Sequence, residues 1–282
     1  MTLPPPGPDK AQTREDWASR ATYWDRRADQ MADMADRFNQ PLIEAAEIEP
    51  GHQVLDLASG VGEPALGIAR RVGETGSVTA TDLVPEMLAG TRRRAAEAGL
   101  DNIELEIVDM EEMPFEDESF DRVTCRFGLM FVPDPVRALG EARRVLVPGG
   151  RAAFMVWGPL EDTTNFTVFR AAAAETFADD EEPLNFSTPF RLGEAGTLAG
   201  LFEAAGFDQV EERELRFSPR VPIDRPFWRP SLDMALGPRL ESATEDERRA
   251  LDDAIRKHLE AYRDGDFYAL TAHIRIGLGT AT

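Results

Sequence analysis

Cysteine and long apolar runs are what this sequence has least of. Cys125 is the only cysteine in 282 residues, which excludes an intrachain disulfide. No stretch reaches the ~18 consecutive apolar residues that a transmembrane helix needs. Residues 1–10 are rich in proline and lack the apolar segment of a secretory signal. These shortages argue against a disulfide scaffold and a membrane-spanning protein, and they predict a cytoplasmic one.

Positive charge is also scarce. The chain has 31 Lys and Arg against 52 Asp and Glu, a formal net charge of -21. Such a surface repels nucleic acid backbones and anionic lipids, so we expect a small-molecule partner and neither nucleic acid nor membrane. The acidic run at 179–182 is typical of a solvated loop, and no metal site is predicted. The oligomeric state stays open.

Strand and helix patterns alternate from residue 52 to residue 157, which predicts an α/β fold with a parallel sheet and helices on both faces. Before this core, residues 1–11 read as a disordered tail and 12–48 as helices. After it we expect a helix at 193–205, a strand at 207–217 and a last strand at 267–277. Two insertions interrupt this part, 158–190 with a helix near 164–177, and 218–265 with a Pro-rich stretch and one helix that continues through Tyr262. We therefore divide the chain into a tail and helical lid, 1–48, and a core domain, 49–282.

A strand runs into a glycine loop at 54–64, VLDLASGVGEP. Glycine permits a positive φ and lets a ligand approach the backbone closely. With Ala65 the loop also satisfies the dinucleotide pattern G-x-G-x-x-A. However, Asp56 and Glu63 would repel a pyrophosphate, whereas they suit a ligand with an ammonium group and no phosphate, such as S-adenosylmethionine. A nucleotide-dependent oxidoreductase is thus disfavoured, and a non-catalytic protein that binds S-adenosylmethionine stays open.

Acidic residues close the next two strands. Asp82 lies roughly 20 residues beyond the glycines, where a carboxylate can accept hydrogen bonds from ribose hydroxyls. Asp109 ends the third strand and can receive an adenine amino group, while Leu83 and Met110 enclose the ring. Phe127 follows the fourth strand, at the switch point where α/β folds bind ligands.

These segments together resemble the class I methyltransferases, and more closely the ubiquinone/menaquinone-biosynthesis methyltransferase-like group. The resemblance covers about residues 50–157 and includes RVLVPGG at 144–150. One departure is Ala58, where many members have glycine. The resemblance implies a Rossmann-like sheet of seven strands, mostly parallel with an antiparallel last strand. It also implies that an N-terminal helix covers the methionine end of the cofactor, S-adenosylmethionine. The cofactor residues that we expect are Tyr23, Trp24, Asp56, Ala58, Ser59, Gly60, Gly62, Glu63, Asp82, Leu83, Met87, Asp109, Met110, Glu111, Arg126 and Phe127.

The implied activity is transfer of the sulfonium methyl group to a small molecule, with S-adenosylhomocysteine as product. The methyl group is already activated, so the protein need only orient the acceptor and exclude water. Carbon, oxygen, nitrogen and sulfur acceptors all stay open. No catalytic residue is assigned, and His273 is the one weak candidate for a base. Candidate acceptor contacts, which could equally be ordinary core, are Phe131, Trp157, Phe166, Phe227 and Trp228.

Overall fold

Seven strands form the central sheet: β1 (Gln53–Leu57), β2 (Ser77–Asp82), β3 (Ile103–Ile107), β4 (Phe120–Arg126), β5 (Leu146–Trp157), β6 (Asp208–Phe217) and β10 (Ala272–Thr280). Their order across the sheet is β3-β2-β1-β4-β5-β10-β6. The computed structural model describes residue 4 and residues 7–178 and 186–282. Only β10 runs antiparallel to its neighbours β5 and β6. The predicted Rossmann-like sheet with an antiparallel last strand is therefore confirmed.

Helices cover both faces of the sheet. They also cover the side of the sheet at which the parallel strands have their carboxyl ends, which we call the carboxyl edge. In the described parts of the chain they are α1 (Lys10–Ala28), α2 (Ala32–Ala45), α3 (Ala65–Val72), α4 (Pro85–Glu97), α5 (Pro135–Val145), α6 (Thr164–Thr176), α7 (Thr197–Ala204), α8 (Arg229–Ser242) and α9 (Glu245–Leu259). Proline stands in the first turn of α4 and α5, where its missing N–H costs no helical hydrogen bond. None of these described helices combines the length and the apolar character needed to cross a bilayer.

The central strands are buried on both faces, as their apolar sequence predicts. Leu55 and Leu57 of β1 are fully buried on the side that packs against α5 and α7. Val54 of β1 and Ile274 of β10 face the opposite layer, where α2 and α3 pack. A rigid sheet with two packed layers fixes where each strand ends, and this determines the positions of the side chains at the carboxyl edge.

A second, smaller core lies outside the sheet. It consists of α6, α8, α9 and a three-stranded sheet of β7 (Arg220–Pro222), β9 (Phe267–Ala269) and β8 (Arg263–Asp264), and we call it the helical cap. Two sequence predictions fail here. The helix expected through Tyr262 is two helices, because Thr244 and Glu247 form a capping box that starts α9. The strand expected at 267–277 is also two, and β9 joins the cap sheet instead of the main one.

The start of the chain also differs from the prediction. Residues 7–11 are not a disordered tail, because the side chain of Asp9 caps α1 through the N–H of Gln12. Gly7 donates its N–H to the carbonyl of Pro133 at 2.8 Å, which ties this segment to the loop after β4. The acidic run at 179–182 lies outside the described residues.

Candidate functional site

Asp56 is the next-to-last residue of β1, just before the glycine loop, and its carboxylate is fully buried. One oxygen accepts a hydrogen bond from Thr124 Oγ1 at 2.6 Å and the other from Ser59 Oγ at 2.7 Å. Burial raises the pKa of Asp56 to about 6, and these two hydrogen bonds act in the opposite direction. The structure therefore places Asp56 beneath the loop and gives it protein partners.

The backbone of the glycine loop turns through left-handed conformations. Gly60 has φ +55 and Gly62 has φ +103, which glycine adopts without strain. Ala58 has φ +53, a conformation that costs an L-residue roughly 1–2 kcal/mol. Thr91 Oγ1 of α4 donates to the carbonyl of Gly60 at 2.8 Å and holds the turn. A Cβ built at Gly60 would meet nothing within 4 Å, so the loop is open at the point where a ligand would approach.

Asp82 closes β2 beside this loop, as its position in the sequence predicts. Its two oxygens accept the N–H groups of Gly60 and Val84, each at 2.9 Å. Burial raises the pKa of Asp82 to about 6 against these backbone hydrogen bonds. Leu83 and the buried Met87 pack next to it, in a small cluster with Val61 of the loop.

Asp109 and Glu111 follow β3 and form the third part of the carboxyl edge. Lys10 of α1 places its Nζ 2.5 Å from Asp109 Oδ2 and 2.6 Å from Glu111 Oε2. Asp109 also accepts the N–H of Glu111 at 2.9 Å, and Glu111 accepts the N–H of Asp134 at 2.8 Å. Met110 lies against Gly128, close to Ala58. The sequence reading missed Lys10 because it assigned this residue to a tail.

Glu63, in the loop after Gly62, takes part in a buried charge network. Its Oε1 lies 2.8 Å from Arg94 Nη2, and Asn39 of α2 donates to its Oε2. Arg126 at the end of β4 donates through Nε to the carbonyl of Glu63 at 3.3 Å, and burial lowers the pKa of Arg126. Both carboxylate oxygens of Glu63 thus have partners within the protein. Asn39 and Arg94 gave no signal in the sequence, since neither stands in the loop motif.

Aromatic side chains gather at the carboxyl ends of β4 and β5. Phe127, with φ +59, stacks on Trp157 with ring centroids 4.3 Å apart and planes 7° apart. Phe38 of α2 contacts both rings edge-on at 5.6 Å. Phe166 and Phe190 complete the group against Trp157. We call these five side chains the aromatic cluster; Phe38 and Phe190 were not foreseen.

Phe131 lies apart from the aromatic cluster, against α1. Its ring meets Trp17 edge-on at 5.1 Å, and Trp17 in turn meets Trp24 at 5.5 Å. Trp17 and Trp24 pack with Leu83 and the other side chains of the small cluster beside Asp82. Helix α1 therefore lies over the carboxyl edge with its tryptophans facing inward.

Tyr23 requires a correction. Its ring packs against Gly237 of α8, where an added Cβ would come within 2.4 Å of it. Successive helical residues point about 100° apart, so Tyr23 and Trp24 cannot both face the strand ends. Trp24 faces them, and its Nε1 also donates to the carbonyl of Met234 at 3.1 Å.

Phe227 and Trp228 also need correcting as acceptor contacts. Trp228 is fully buried in the core of the helical cap, donates to Asp252 Oδ1 at 2.9 Å and lies beneath Arg256 at 4.7 Å. Phe227 packs against the same core. Both rings therefore belong to the apolar core of the cap, which is the alternative that the sequence analysis kept open for them.

His273 lies in β10 and is fully buried. Its Nδ1 is 2.8 Å from Asp162 Oδ2, and Gly158 packs directly on its ring. These contacts build the histidine into the packed structure at the start of β10, which is a structural role. In the described ranges, no three His, Cys, Asp or Glu side chains are grouped so that they could hold a metal ion.

Comparison with known proteins identifies the relatives of this chain. The sequence model of the ubiE/COQ5 methyltransferase family matches residues 21–218. The chain belongs to this family. The match spans the carboxyl edge of the sheet and ends before α8 and α9, so those two helices of the cap lie outside it.

Among ubiE/COQ5 methyltransferases, a ubiquinone/menaquinone biosynthesis C-methyltransferase of Ralstonia pickettii is 37% identical over 177 residues, which are 60% of this chain and 72% of that one. A homologue from Bordetella avium is 34% identical over 177 residues, which are 60% of this chain and 69% of that one. The crystal structure of the cyclase SpnF superimposes with a TM-score of 0.67 at 18% identity and covers both chains fully. A Haemonchus contortus phosphoethanolamine N-methyltransferase with bound S-adenosylhomocysteine has a TM-score of 0.56 at 18% identity, over 87% of this chain and 52% of that one. At such identities the two structures show a shared fold.

This ubiE/COQ5 methyltransferase uses S-adenosylmethionine as its cofactor and transfers the methyl group to a small-molecule acceptor. The geometry of its carboxyl edge fits that cofactor. Asp56, Glu63, Asp82 and Asp109 surround the open glycine loop with carboxylates. They suit a ligand with hydroxyl and ammonium donors and would repel a phosphate.

Proposed function

We propose that the acceptor is an apolar aromatic molecule with a ring hydroxyl, of the phenol or hydroquinone class, and that the methyl group goes to a ring carbon. The observation that carries this proposal is the aromatic cluster at the ends of β4 and β5. Phe127 directly follows the strand beside the glycine loop, and Trp157 stacks on it at 4.3 Å. Aromatic faces bind planar rings through offset or edge-on contacts. The Ralstonia pickettii relative, a C-methyltransferase by name, points the same way.

For the cofactor we propose the following arrangement. Asp82 accepts hydrogen bonds from the ribose hydroxyls, and Asp109 accepts one from the adenine amino group, with Leu83 and Met110 beside the ring. Asp56 and Glu63 set a negative potential near the ammonium group. S-adenosylmethionine supplies an electrophilic methyl group on its sulfonium. The residues whose backbone or side chains would complete the cofactor site are Ala58, Ser59, Gly60, Gly62, Met87, Glu111, Arg126 and Phe127.

Helix α1 acts as a lid in this proposal. Trp17 and Trp24 exclude water from the reacting centre, and Lys10 holds the start of the helix on Asp109. The faces of the tryptophans also attract the sulfonium cation. Tyr23 has no part in this lid because it packs against α8.

The chain needs no side chain that takes up the ring proton. The hydroxyl proton leaves to bulk water before the lid closes, and the resulting phenolate ring is electron-rich. A ring carbon then forms the new bond to the methyl carbon while the bond from methyl to sulfur breaks, which gives a neutral dienone. The dienone releases its ring proton to water once the lid has opened, and the aromatic phenolate returns. The protein contributes orientation and a water-poor surface, and its aromatic cluster provides both.

The test uses the full chain, isotope-labelled S-adenosylmethionine and three probe sets: alkylated hydroquinones and phenols, primary amines, and carboxylic acids. We expect label on a ring carbon of the first set, located by mass spectrometry and NMR. Phe166→Ala should reduce this turnover by about 2- to 13-fold, since one aromatic contact is worth ~0.5–1.5 kcal/mol beyond buried area. Phe267→Ala, an exposed ring of the cap, should leave it unchanged. Label appearing on amines alone would refute the proposal.

A further inference from the structure

Arg20 is a cation on the inner side of α1 that has no acidic partner. It comes one turn after Trp17 and one turn before Trp24, so the three side chains share a side of the helix. Its guanidinium carbon lies 5.8 Å from the centre of the Trp17 ring. Among the residues that the structure describes, no carboxylate lies within ion-pair distance of Arg20 and no group accepts a hydrogen bond from it.

This isolation is unusual for an arginine in this neighbourhood. Arg27 on the same helix pairs with Asp233 of the cap. Arg93 of α4 reaches Asp25 of α1 at 2.8 Å. Arg20 is partly buried, and desolvation lowers its pKa, with only the exposed Asp16 acting against this. A partly desolvated charge without a partner is unfavourable to the folded protein, so it fits a group that binds an anion from outside.

The carboxyl edge needs a cation at this place. Its carboxylates repel any negative group on a ligand, and the other described cations around it are engaged. Lys10 pairs with Asp109 and Glu111, and Arg94 pairs with Glu63. Arg126 donates to a loop carbonyl. The methionine portion of the cofactor carries an ammonium group and a carboxylate, and only the ammonium group suits an acidic surface.

We propose that Arg20 binds the α-carboxylate of the cofactor's methionine portion. Its position supports this, because Trp17 and Trp24, on the same side of α1, both pack into the small cluster that holds Val61 of the glycine loop and Leu83 after β2. Arg20 thus lies on the side of the lid that faces the glycine loop and the end of β2, where the methionine end would bind. The inference rests on the proposed placement of the cofactor along the carboxyl edge, and it makes the lid a ligand-binding element as well as a cover.

The experiment compares two ligands by calorimetry on the full chain. S-adenosylhomocysteine has both charged groups, whereas its decarboxylated analogue keeps the ammonium group and lacks the carboxylate. The unchanged protein should prefer S-adenosylhomocysteine, and Arg20→Gln should weaken that ligand by about 10- to 100-fold, the range expected for a lost charge-assisted hydrogen bond. The same substitution should leave affinity for the analogue unchanged. Arg20→Lys should restore part of the preference.

The matched control is Arg14→Gln, an exposed arginine on the same helix, which should bind both ligands as the unchanged protein does. Thermal unfolding gives a second readout. Without ligand, Arg20→Gln should melt at the same temperature or higher, because an unpaired desolvated charge has been removed. Equal losses of affinity for both ligands in Arg20→Gln would overturn the proposal. An unchanged affinity of this variant for S-adenosylhomocysteine would also overturn it, and would indicate that Arg20 binds an anionic acceptor instead. Failure of the unchanged protein to bind either ligand would overturn the cofactor placement itself.

Discussion

The carboxyl edge of the sheet and the helical cap differ in the interactions that their side chains make. The edge holds buried carboxylates such as Asp56 and residues in left-handed conformations such as Ala58 and Phe127. The cap holds a continuous apolar core around Trp228, and ion pairs such as Arg220 with Asp264 lie exposed at its surface. Buried charge and backbone strain both lower the stability of a folded chain, whereas an apolar core raises it. The carboxyl edge therefore has the features of a ligand-binding region, whereas the cap has those of a stabilising core.

This contrast predicts how the two regions respond to change. Substitutions in the cap should act mainly on the free energy of unfolding and little on cofactor affinity. Substitutions at the carboxyl edge should do the reverse, because strained and charged positions persist where binding requires them.

The largest effect should come from Trp228→Ala in the cap. Loss of a fully buried indole should lower the free energy of unfolding by about 3–5 kcal/mol. Affinity for S-adenosylhomocysteine, measured at a temperature where the variant is folded, should change less than about threefold. Tyr262→Ala, at an exposed ring of the same cap, should cost less than about 0.5 kcal/mol. A drop in affinity as large as the drop in stability would show that cap and site are not separable.

Removal of residues 1–29 should have the next largest effect. The remaining chain keeps α2, whose Leu42 and Ile43 belong to the main core, so circular dichroism should show an intact fold. Affinity for S-adenosylhomocysteine should fall by about 100-fold or more, at least ~2.7 kcal/mol, because the lid side chains Lys10, Trp17, Arg20 and Trp24 are lost. Removal of residues 1–6 alone serves as the control and should leave affinity unchanged. A truncated protein that binds normally would contradict the lid.

Asp82→Asn should weaken S-adenosylhomocysteine by about 1.5 kcal/mol, since a neutral amide replaces a charged acceptor. Asp101→Asn, an exposed carboxyl before β3, provides the comparison and should have no effect. If Asp82→Asn keeps full affinity but loses stability, then its role is confined to holding the N–H groups of Gly60 and Val84.

The pH dependence of stability follows from the same carboxyls. Burial raises the pKa of Asp56 and Asp82 to about 6, from 3.8 in the unfolded chain. Between these values the folded state binds more protons than the unfolded one, so the contribution of both groups to stability falls as pH rises through this window. The ion-paired Glu141, whose pKa is lowered from 4.5, acts in the opposite direction and only below pH 4.5, where its contribution to stability is lost as pH falls. Urea unfolding at pH 5 and pH 7 should show a smaller difference for Asp82→Asn than for the unchanged protein, and an identical difference would contradict the assignment.

Ala58→Gly should give the smallest change, and in the opposite direction. Relief of a left-handed alanine, φ +53, outweighs the extra freedom of glycine in the unfolded chain, and the net gain should be about 0.5 kcal/mol in urea unfolding. Ala80→Gly in the extended β2 should instead destabilise by about 0.5–1 kcal/mol. If both variants lose stability equally, the strain argument at Ala58 is wrong.

Much of the carboxyl edge could be predicted from sequence because its geometry is local. A strand pattern followed by Asp82 fixes where that carboxylate lies, since parallel strands end on a common edge. The lid could not be predicted in the same detail. The direction of Tyr23 depends on α8, and the order of residues 7–11 depends on Pro133 and Asp109, all distant in sequence. Trp228 was misassigned for the same reason, because its partners Asp252 and Arg256 lie on another helix.

The positions of the tryptophans allow their intrinsic fluorescence to report on the two regions of this protein separately. Trp17 and Trp24 lie on α1 over the carboxyl edge, Trp157 stacks on Phe127, and Trp228 is fully enclosed in the cap. Indole emission depends on the local field and on quenching groups within a few ångströms. A bound ligand therefore alters three of the four emitters, and loosening of the cap alters the fourth. Replacement of single tryptophans by phenylalanine would divide the fluorescence into a binding signal and an unfolding signal, so that each can be followed in real time without a dye.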